Sequence, residues 1–130
     1  MSNDFQTARW YDAIYANIAN YPRTAEIIES IARRDASPDR LSLLDVACGT
    51  GRLIEELLLR GSWDVQGLDL DSRMLAVARE RLPNVTFHEQ DMVEFDLGQM
   101  FDVITCLGSS LPAVGTRDRL TQAIYRFAQH

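Results

Sequence analysis

The residues best suited to chemistry fall in three short stretches. In Leu44-Asp45-Val46-Ala47-Cys48-Gly49-Thr50-Gly51 an apolar run enters two closely spaced glycines, and a helical pattern with Leu53, Ile54, Leu57 and Leu58 follows from Arg52. A strand, a tight glycine turn and a helix start make a cradle for a nucleotide-like ligand. Glycine lets the backbone come close where a Cβ would collide, and the helix N-terminus offers unpaired N–H groups. Asp69 stands near the end of the next apolar run, Val65-Gln66-Gly67-Leu68-Asp69-Leu70, 18 residues after Gly51. That is close to the interval at which a carboxylate meets a pair of ribose hydroxyls, and its two oxygens can accept from both. The alternative is a turn acid before the next helix, a role Asp71 already fills. Asp91 and Met92 follow a third apolar run. A carboxylate there can accept from the exocyclic amine of a base while the next backbone N–H meets a ring nitrogen; a solvated loop acid is the alternative. Met74, two residues into a helix begun at Ser72, suits either a purine face or a core.

These residues need a scaffold that brings strand ends together. Residues 6–19 carry aromatics in a helical pattern, and 23–34 form an amphipathic helix with Ile27, Ile28 and Ile31 on its apolar side. The loop Asp35-Ala36-Ser37-Pro38-Asp39 comes next. An alternation then begins: strand 41–47, helix 52–59, strand 65–70, helix 72–82, strand 85–89, strand 103–107 and helix 116–128. Gly61 closes the first of these helices, Asp71-Ser72 caps the second and Pro83-Asn84 ends it, while 93–100, with Gly98, is an irregular connection. The pattern predicts an α/β, Rossmann-like, doubly wound and mostly parallel sheet with helices on both faces and an N-terminal helical segment. One domain over 1–130 is expected, with a helical cap at 1–36 and the Rossmann-like core at 41–130. In such sheets ligands bind outside the carboxyl ends of the strands, where the glycine turn, Asp69 and Asp91 all fall.

Composition narrows the partners. At 130 residues one domain fits, with roughly two-thirds of its unfolded surface buried. A net charge of -6 argues against a nucleic-acid-binding face, and Arg33-Arg34, Arg79 and Arg81 read as solvated helix surface. No run approaches the roughly 18 apolar residues of a membrane span, and the N-terminus lacks a signal peptide, so a cytoplasmic protein with no membrane partner is expected. The only two cysteines, Cys48 and Cys106, suggest buried hydrophobes rather than a disulfide framework or zinc cluster. His88 and His130 lack a triad partner or metal-ligand spacing and read as structural or exposed.

Taken in order, Leu44 to Gly51, Gly67-Leu68-Asp69-Leu70-Asp71-Ser72-Arg73-Met74-Leu75, Asp91-Met92 and Phe101-Asp102-Val103-Ile104 resemble the motif series of class I S-adenosylmethionine-dependent methyltransferases. The resemblance spans nearly the whole chain. It implies S-adenosylmethionine as cofactor and S-adenosylhomocysteine as product. It sets Ala47, Gly49 and Gly51 against the methionine portion, Asp69 on the ribose hydroxyls with Leu70 and Met74 beside the same pocket, Asp91 and the Met92 backbone on adenine, and Leu107 toward the sulfonium. Dinucleotide binding fits less well, since the third glycine of that fingerprint falls at Ile54.

The ends of the chain carry a finer resemblance. Trp10-Tyr11-Asp12-Ala13-Ile14-Tyr15 with Tyr21, and Leu107-Gly108-Ser109-Ser110-Leu111, are similar to small-molecule N-methyltransferases that dimethylate nucleotide-linked amino sugars, and to those that methylate glycine. The resemblance implies that Tyr11 and Tyr21 close over the cofactor and that Tyr15 is the catalytic residue bordering the acceptor amine; Tyr11 also reads as a helix-packing aromatic. Leu107-Gly108 departs from the apolar and aromatic pair usual in the sugar enzymes. Methyl transfer needs neither nucleophile nor metal, and neither is evident here. The resembled enzymes continue into further strands, so the fold is expected to be truncated after the fourth strand and following helix. That would leave an uncovered sheet edge that invites self-association. The expected activity is methyl transfer to a small-molecule amine; a cofactor-binding fragment without turnover, or another nucleotide-binding α/β domain, are the alternatives.

Overall fold

The computed structural model describes residues 6–10, 13–14, 19–34, 39–107 and 115–130. Tyr11 and Tyr15 lie outside the described residues. Helical residues at 6–10 and 13–14 precede eight elements: α1 (Tyr21–Ala32), β1 (Leu41–Val46), α2 (Arg52–Leu59), β2 (Trp63–Asp69), α3 (Ser72–Arg81), β3 (Thr86–Glu89), β4 (Val103–Cys106) and α4 (Arg117–Ala128). The four strands form one sheet in the order β3-β2-β1-β4, and every pairing is parallel. Val46 pairs with Leu68 and with Cys106, and Leu68 pairs with His88, so the carboxyl ends of all four strands lie in one row.

β1 reads Leu-Ser-Leu-Leu-Asp-Val because a central parallel strand is buried on both faces. Leu41 and Leu43 pack with Trp63, Val65, Leu53, Ile54, Leu57, Leu75, Ala78 and Phe87 into a core roofed by α1, α2 and α3. On the opposite face Leu44 and Val46 join Leu68 and Phe95, with Met92, Ile104 and Phe127 of α4 against them. The sheet is thus covered on both faces, three helices against one.

The helix ends follow local chemistry. Asn20 caps α1 through a bond from Arg23 N at 3.0 Å, and Pro22 sits in its first turn, so this helix starts two residues before the hydrophobic pattern suggests. Asp71 caps α3 at 2.9 Å and Thr116 caps α4 at 3.2 Å. Gly61, at φ +79°, donates to Leu58 O and closes α2 as expected. β1 stops at Val46 because Ala47 turns to φ +58°, and β2 begins early, at the buried Trp63 that pairs with Leu41.

Two expectations are corrected. Ile27 and Ile31 are 44% and 56% exposed, and the buried side of α1 is Tyr21, Ala25, Ile28 and Ala32. That orientation is supported from outside the helix, by Arg60 meeting Glu29 at 2.8 Å and by Arg33 reaching Ser62 O at 3.0 Å. Most of the arginines expected to be solvated are structural. Arg33 donates to Ser62 O at 3.0 Å and lies 5.5 Å over the Trp63 ring, Arg79 donates to Phe87 O at 3.2 Å, and Arg81 reaches Thr50 O at 2.8 Å. Each guanidinium thus donates to a backbone carbonyl of a neighbouring segment.

Both histidines are structural. His130 is buried; its Nε2 accepts from Leu97 N at 3.1 Å, its Nδ1 donates to Arg126 O at 2.8 Å, and its ring lies 4.5 Å from that of Phe95. Its backbone carbonyl accepts from Phe101 N. His88 bonds Gln66 Oε1 at 2.8 Å, and burial, with Arg79 adding to it, holds its pKa below the usual value.

Candidate functional site

The turn after β1 places Ala47, Gly49 and Gly51 at φ +58°, +58° and +82°. A non-glycine there carries strain of about 1 kcal/mol, which the surroundings must over-determine. They do so with bonds from Cys48 N to Leu68 O at 3.1 Å and from Gly51 N to Cys48 O at 3.1 Å, and with Arg81 on both Thr50 O and Thr50 Oγ1. Gly51 is the N-cap of α2 and brings no side chain to that helix start.

The two glycines serve different ends. A Cβ on Gly49 would meet nothing within 4 Å, whereas one on Gly51 would lie 3.3 Å from Leu82 and 3.5 Å from Ala78. Gly49 therefore borders open space, and Gly51 lets the turn seat against α3. Gly67 on β2 is tighter still, with a Cβ falling 2.7 Å from Phe87 and 2.8 Å from Cys48 Sγ.

Asp69, the last residue of β2, joins this turn directly. Its Oδ2 accepts from Gly49 N at 2.8 Å and its Oδ1 from Asp71 N at 2.9 Å. The capping of α3 falls to Asp71, so Asp69 is held at the strand ends rather than spent on the helix. Each of its oxygens retains acceptor capacity.

On the neighbouring strand end Asp91 is no solvated loop acid. Its Oδ1 accepts from Val93 N at 3.1 Å and its Oδ2 from Arg119, on α4, at 3.0 Å. Gln90 N donates to Asp69 O at 3.2 Å, which ties the chain leaving β3 to the end of β2. The side chain of Met92 packs on the core beneath, so only its backbone is left for the rim. Leu70 and Leu107 are exposed at the ends of β2 and β4, Met74 is half-buried on α3, and Tyr21 packs against the core under α1.

Asp45 is a functional candidate that sequence reasoning passed over. It is buried and accepts from Thr105 Oγ1 at 2.8 Å, its register partner on β4. Burial pushes its carboxyl up to about 7, against the lowering effect of the Thr105 bond, and the charge of Asp69 raises it further. A lone carboxylate in a mostly apolar strand was the available signal. Burial also drives up both thiols, Cys106 to about 11 and Cys48 well above its usual value, which leaves neither suited to nucleophilic work. Arg81, Arg119 and Gly67 were likewise missed, because only the fold shows what they touch.

A parallel sheet with a glycine turn after its first strand and acids at the next two strand ends defines a Rossmann-like nucleotide-binding architecture. The methyltransferase domain family model matches residues 43–130, and the chain belongs to that family. It is 39% identical over 126 residues to a dTDP-3-amino-3,6-dideoxy-alpha-D-glucopyranose N,N-dimethyltransferase of Streptomyces fradiae, a match covering 96% of this chain and 49% of the relative. A dTDP-3-amino-3,4,6-trideoxy-alpha-D-glucopyranose N,N-dimethyltransferase of Streptomyces venezuelae is 38% identical, with 92% and 50% covered. Among solved structures, SAM-bound CalS10, an amino pentose methyltransferase from Micromonospora echinaspora involved in calicheamicin biosynthesis, superposes with a TM-score of 0.84 at 38% identity, covering 92% of this chain and 50% of that one. The chain spans about half the length of the curated relatives it matches. Among the described residues no helix is long and apolar enough to cross a membrane.

Proposed function

We propose that this chain forms the S-adenosylmethionine-binding part of a methyltransferase that acts on the amine nitrogen of a small molecule, of the amino-sugar type. The observation that carries this reading is the bond between the Gly49 N–H and the Asp69 carboxylate, which fixes a ribose-type acceptor against a turn that is open on its ligand side. The names of the relatives support the acceptor class.

The residues fit such a cofactor. Gly49 leaves room for an amino-acid portion that a Cβ would crowd, with Ala47 beside it and Gly51 seating the turn from behind. Asp69 accepts from the two ribose hydroxyls, Asp91 from the exocyclic amine of adenine, and the Met92 N–H meets a ring nitrogen. Leu70, Met74 and Leu107 supply apolar cover at the rim, and Asp45 sets a buried acid below it. When bound, the cofactor supplies a methyl group already activated for transfer by its sulfonium. The chain's part is to orient that group and exclude water, and each of these contacts does so. Tyr11 and Tyr21 belong to the cover, and Tyr15 to the acceptor amine, by the resemblance of their segment. Residues 41–130 act as the binding core under a helical cap at 1–36, in a cytoplasmic protein. Among the described residues β4 lies at the end of the sheet; pairing of that edge with a second copy completes it. A monomer by light scattering, well above the concentrations used for binding, would count against the pairing.

Calorimetry with S-adenosylmethionine and S-adenosylhomocysteine tests the core of the proposal. Saturable heat from the parent chain, much weakened by Asp69→Ala, is expected; no heat from the parent overturns the cofactor assignment. S-adenosylhomocysteine formed only when an amino sugar is added supports turnover, whereas binding without product identifies a cofactor-binding unit alone.

A further inference from the structure

We infer that Arg119 is a positioning residue for base recognition, holding the Asp91 carboxylate in the one orientation that reads an exocyclic amine. This rests on the cofactor reading above. The Asp91 side chain is pinned twice, from the Val93 N–H at 3.1 Å on its own loop and from the Arg119 guanidinium at 3.0 Å on α4. The two donors take different oxygens, so each oxygen keeps a lone pair while rotation about the side chain is blocked.

Arg119 is itself aimed by local structure. Its backbone N–H donates to the Thr116 cap at 3.2 Å, which fixes the first turn of α4, and the side chain spans from there to the end of β3. The helix is docked on the sheet through Phe127 and through the buried His130, whose ring and carbonyl bond Leu97 N and Phe101 N. The orientation of the base-reading acid is thereby set by a helix 28 residues away in sequence.

The consequence is selectivity at the 6-position of a purine. A fixed acceptor favours a 6-amino group and opposes a 6-oxo group, which offers it only another lone pair. A carboxylate released from Arg119 can turn aside, so it loses part of the first interaction and relieves part of the second. Binding of S-adenosylhomocysteine and S-inosylhomocysteine to the full chain reads this directly. The parent is expected to favour the adenine compound by about tenfold or more, as befits hydrogen bonding to a charged group. Arg119→Met should narrow that ratio by about fivefold, chiefly by weakening the adenine compound. Arg119→Lys, which keeps the charge but not the fork, should restore part of it. Arg117→Met removes a guanidinium from the same helical turn, where among the described residues Arg117 bonds through its backbone carbonyl to Thr121, and should leave the ratio as it is.

An unchanged ratio in Arg119→Met, or equal weakening of both ligands, overturns the inference. If Asp91→Ala collapses the ratio while Arg119→Met preserves it, the cofactor reading stands and the role of Arg119 falls. If the parent binds neither compound, both fall together. Should Arg119→Met fail to fold, the lysine variant carries the test, and a parental ratio there alongside a collapsed ratio in Asp91→Ala overturns it.

Discussion

The two halves of the strand-end rim are fastened by different means. Between the ends of β1 and β2, among the described residues, the ties involve the backbone: Gly49 N on Asp69 and Cys48 N on Leu68 O. Between β3 and α4 the tie is side chain to side chain, an Arg119–Asp91 pair whose members are 46% and 21% exposed. The first half inherits its geometry from sheet register and is as rigid as the sheet. The second depends on the docking of a helix, and an ion pair this exposed adds at most about 1 kcal/mol of stability. On the proposed reading, ribose binding therefore falls to the side held by the backbone and selectivity for the base to the other.

The most damaging change should be Gly67→Val, which forces side-chain atoms into Phe87 and Cys48. A loss of about 3 kcal/mol in urea unfolding is expected, with ligand binding failing alongside because Cys48 belongs to the turn. A stable Gly67→Val chain would break the claim that register governs this half.

Asp45 gives the next largest effect. Its folded pKa of about 7 stands above the ordinary carboxylate value, so its contribution favours folding at low pH and is lost as pH rises through about 7. The unfolding free energy of the parent should drop by on the order of 2 kcal/mol between about pH 5 and about pH 8. Asp45→Asn, still able to accept from Thr105, should flatten that profile.

Asp69→Ala should cost about 2 kcal/mol of cofactor affinity, roughly thirtyfold in Kd, because it removes the proposed ribose acceptor and leaves two N–H groups without their carboxylate. Calorimetry reads it.

The smallest effects sharpen the contrast within the turn itself. Gly49→Ala and Gly51→Ala each impose about 1 kcal/mol of left-handed strain. Only Gly51→Ala also presses on Leu82, so it should be the less stable of the two by thermal melting. Gly49→Ala, with its methyl in the open space, should be the weaker binder. The reverse order would mean that the ligand lies behind the turn.

The comparison also explains what the sequence could tell. The alternation of apolar runs, with Gly61, Asp71 and Pro83 as punctuation, was enough to recover the α/β order from residue 41 onward, because those signals act within a few residues of themselves. Asp69 and Asp91 were legible by their positions after strands. Ile27 and Ile31 misled, since hydrophobic periodicity describes a helix face without saying where the helix will be clamped, and Glu29 with Arg60 and Arg33 with Ser62 O act there. Arg81 and Arg119 were opaque for the same reason. A surface-looking arginine becomes a fastener only when a strand end folded from distant residues arrives beside it. Asp45 was visible in the motif but had no partner until β4 set Thr105 across from it.

The strand order has a further result, in time rather than in space. β1 meets β2 across a separation of 22 residues, Leu41 with Trp63, but meets β4 across 60, Leu43 with Val103. The longer closure surrenders more chain entropy before any contact rewards it, and a long-range parallel pairing is slow to form. The half that carries the glycine turn and Asp69 can thus assemble from β1, α2 and β2 as a near-local unit, while Asp45 gains Thr105, and Asp91 gains Arg119, only in the last step. Amides of β4 should be the first in the sheet to exchange with solvent, and a nascent chain can carry the glycine cradle before the Arg119–Asp91 pair has formed.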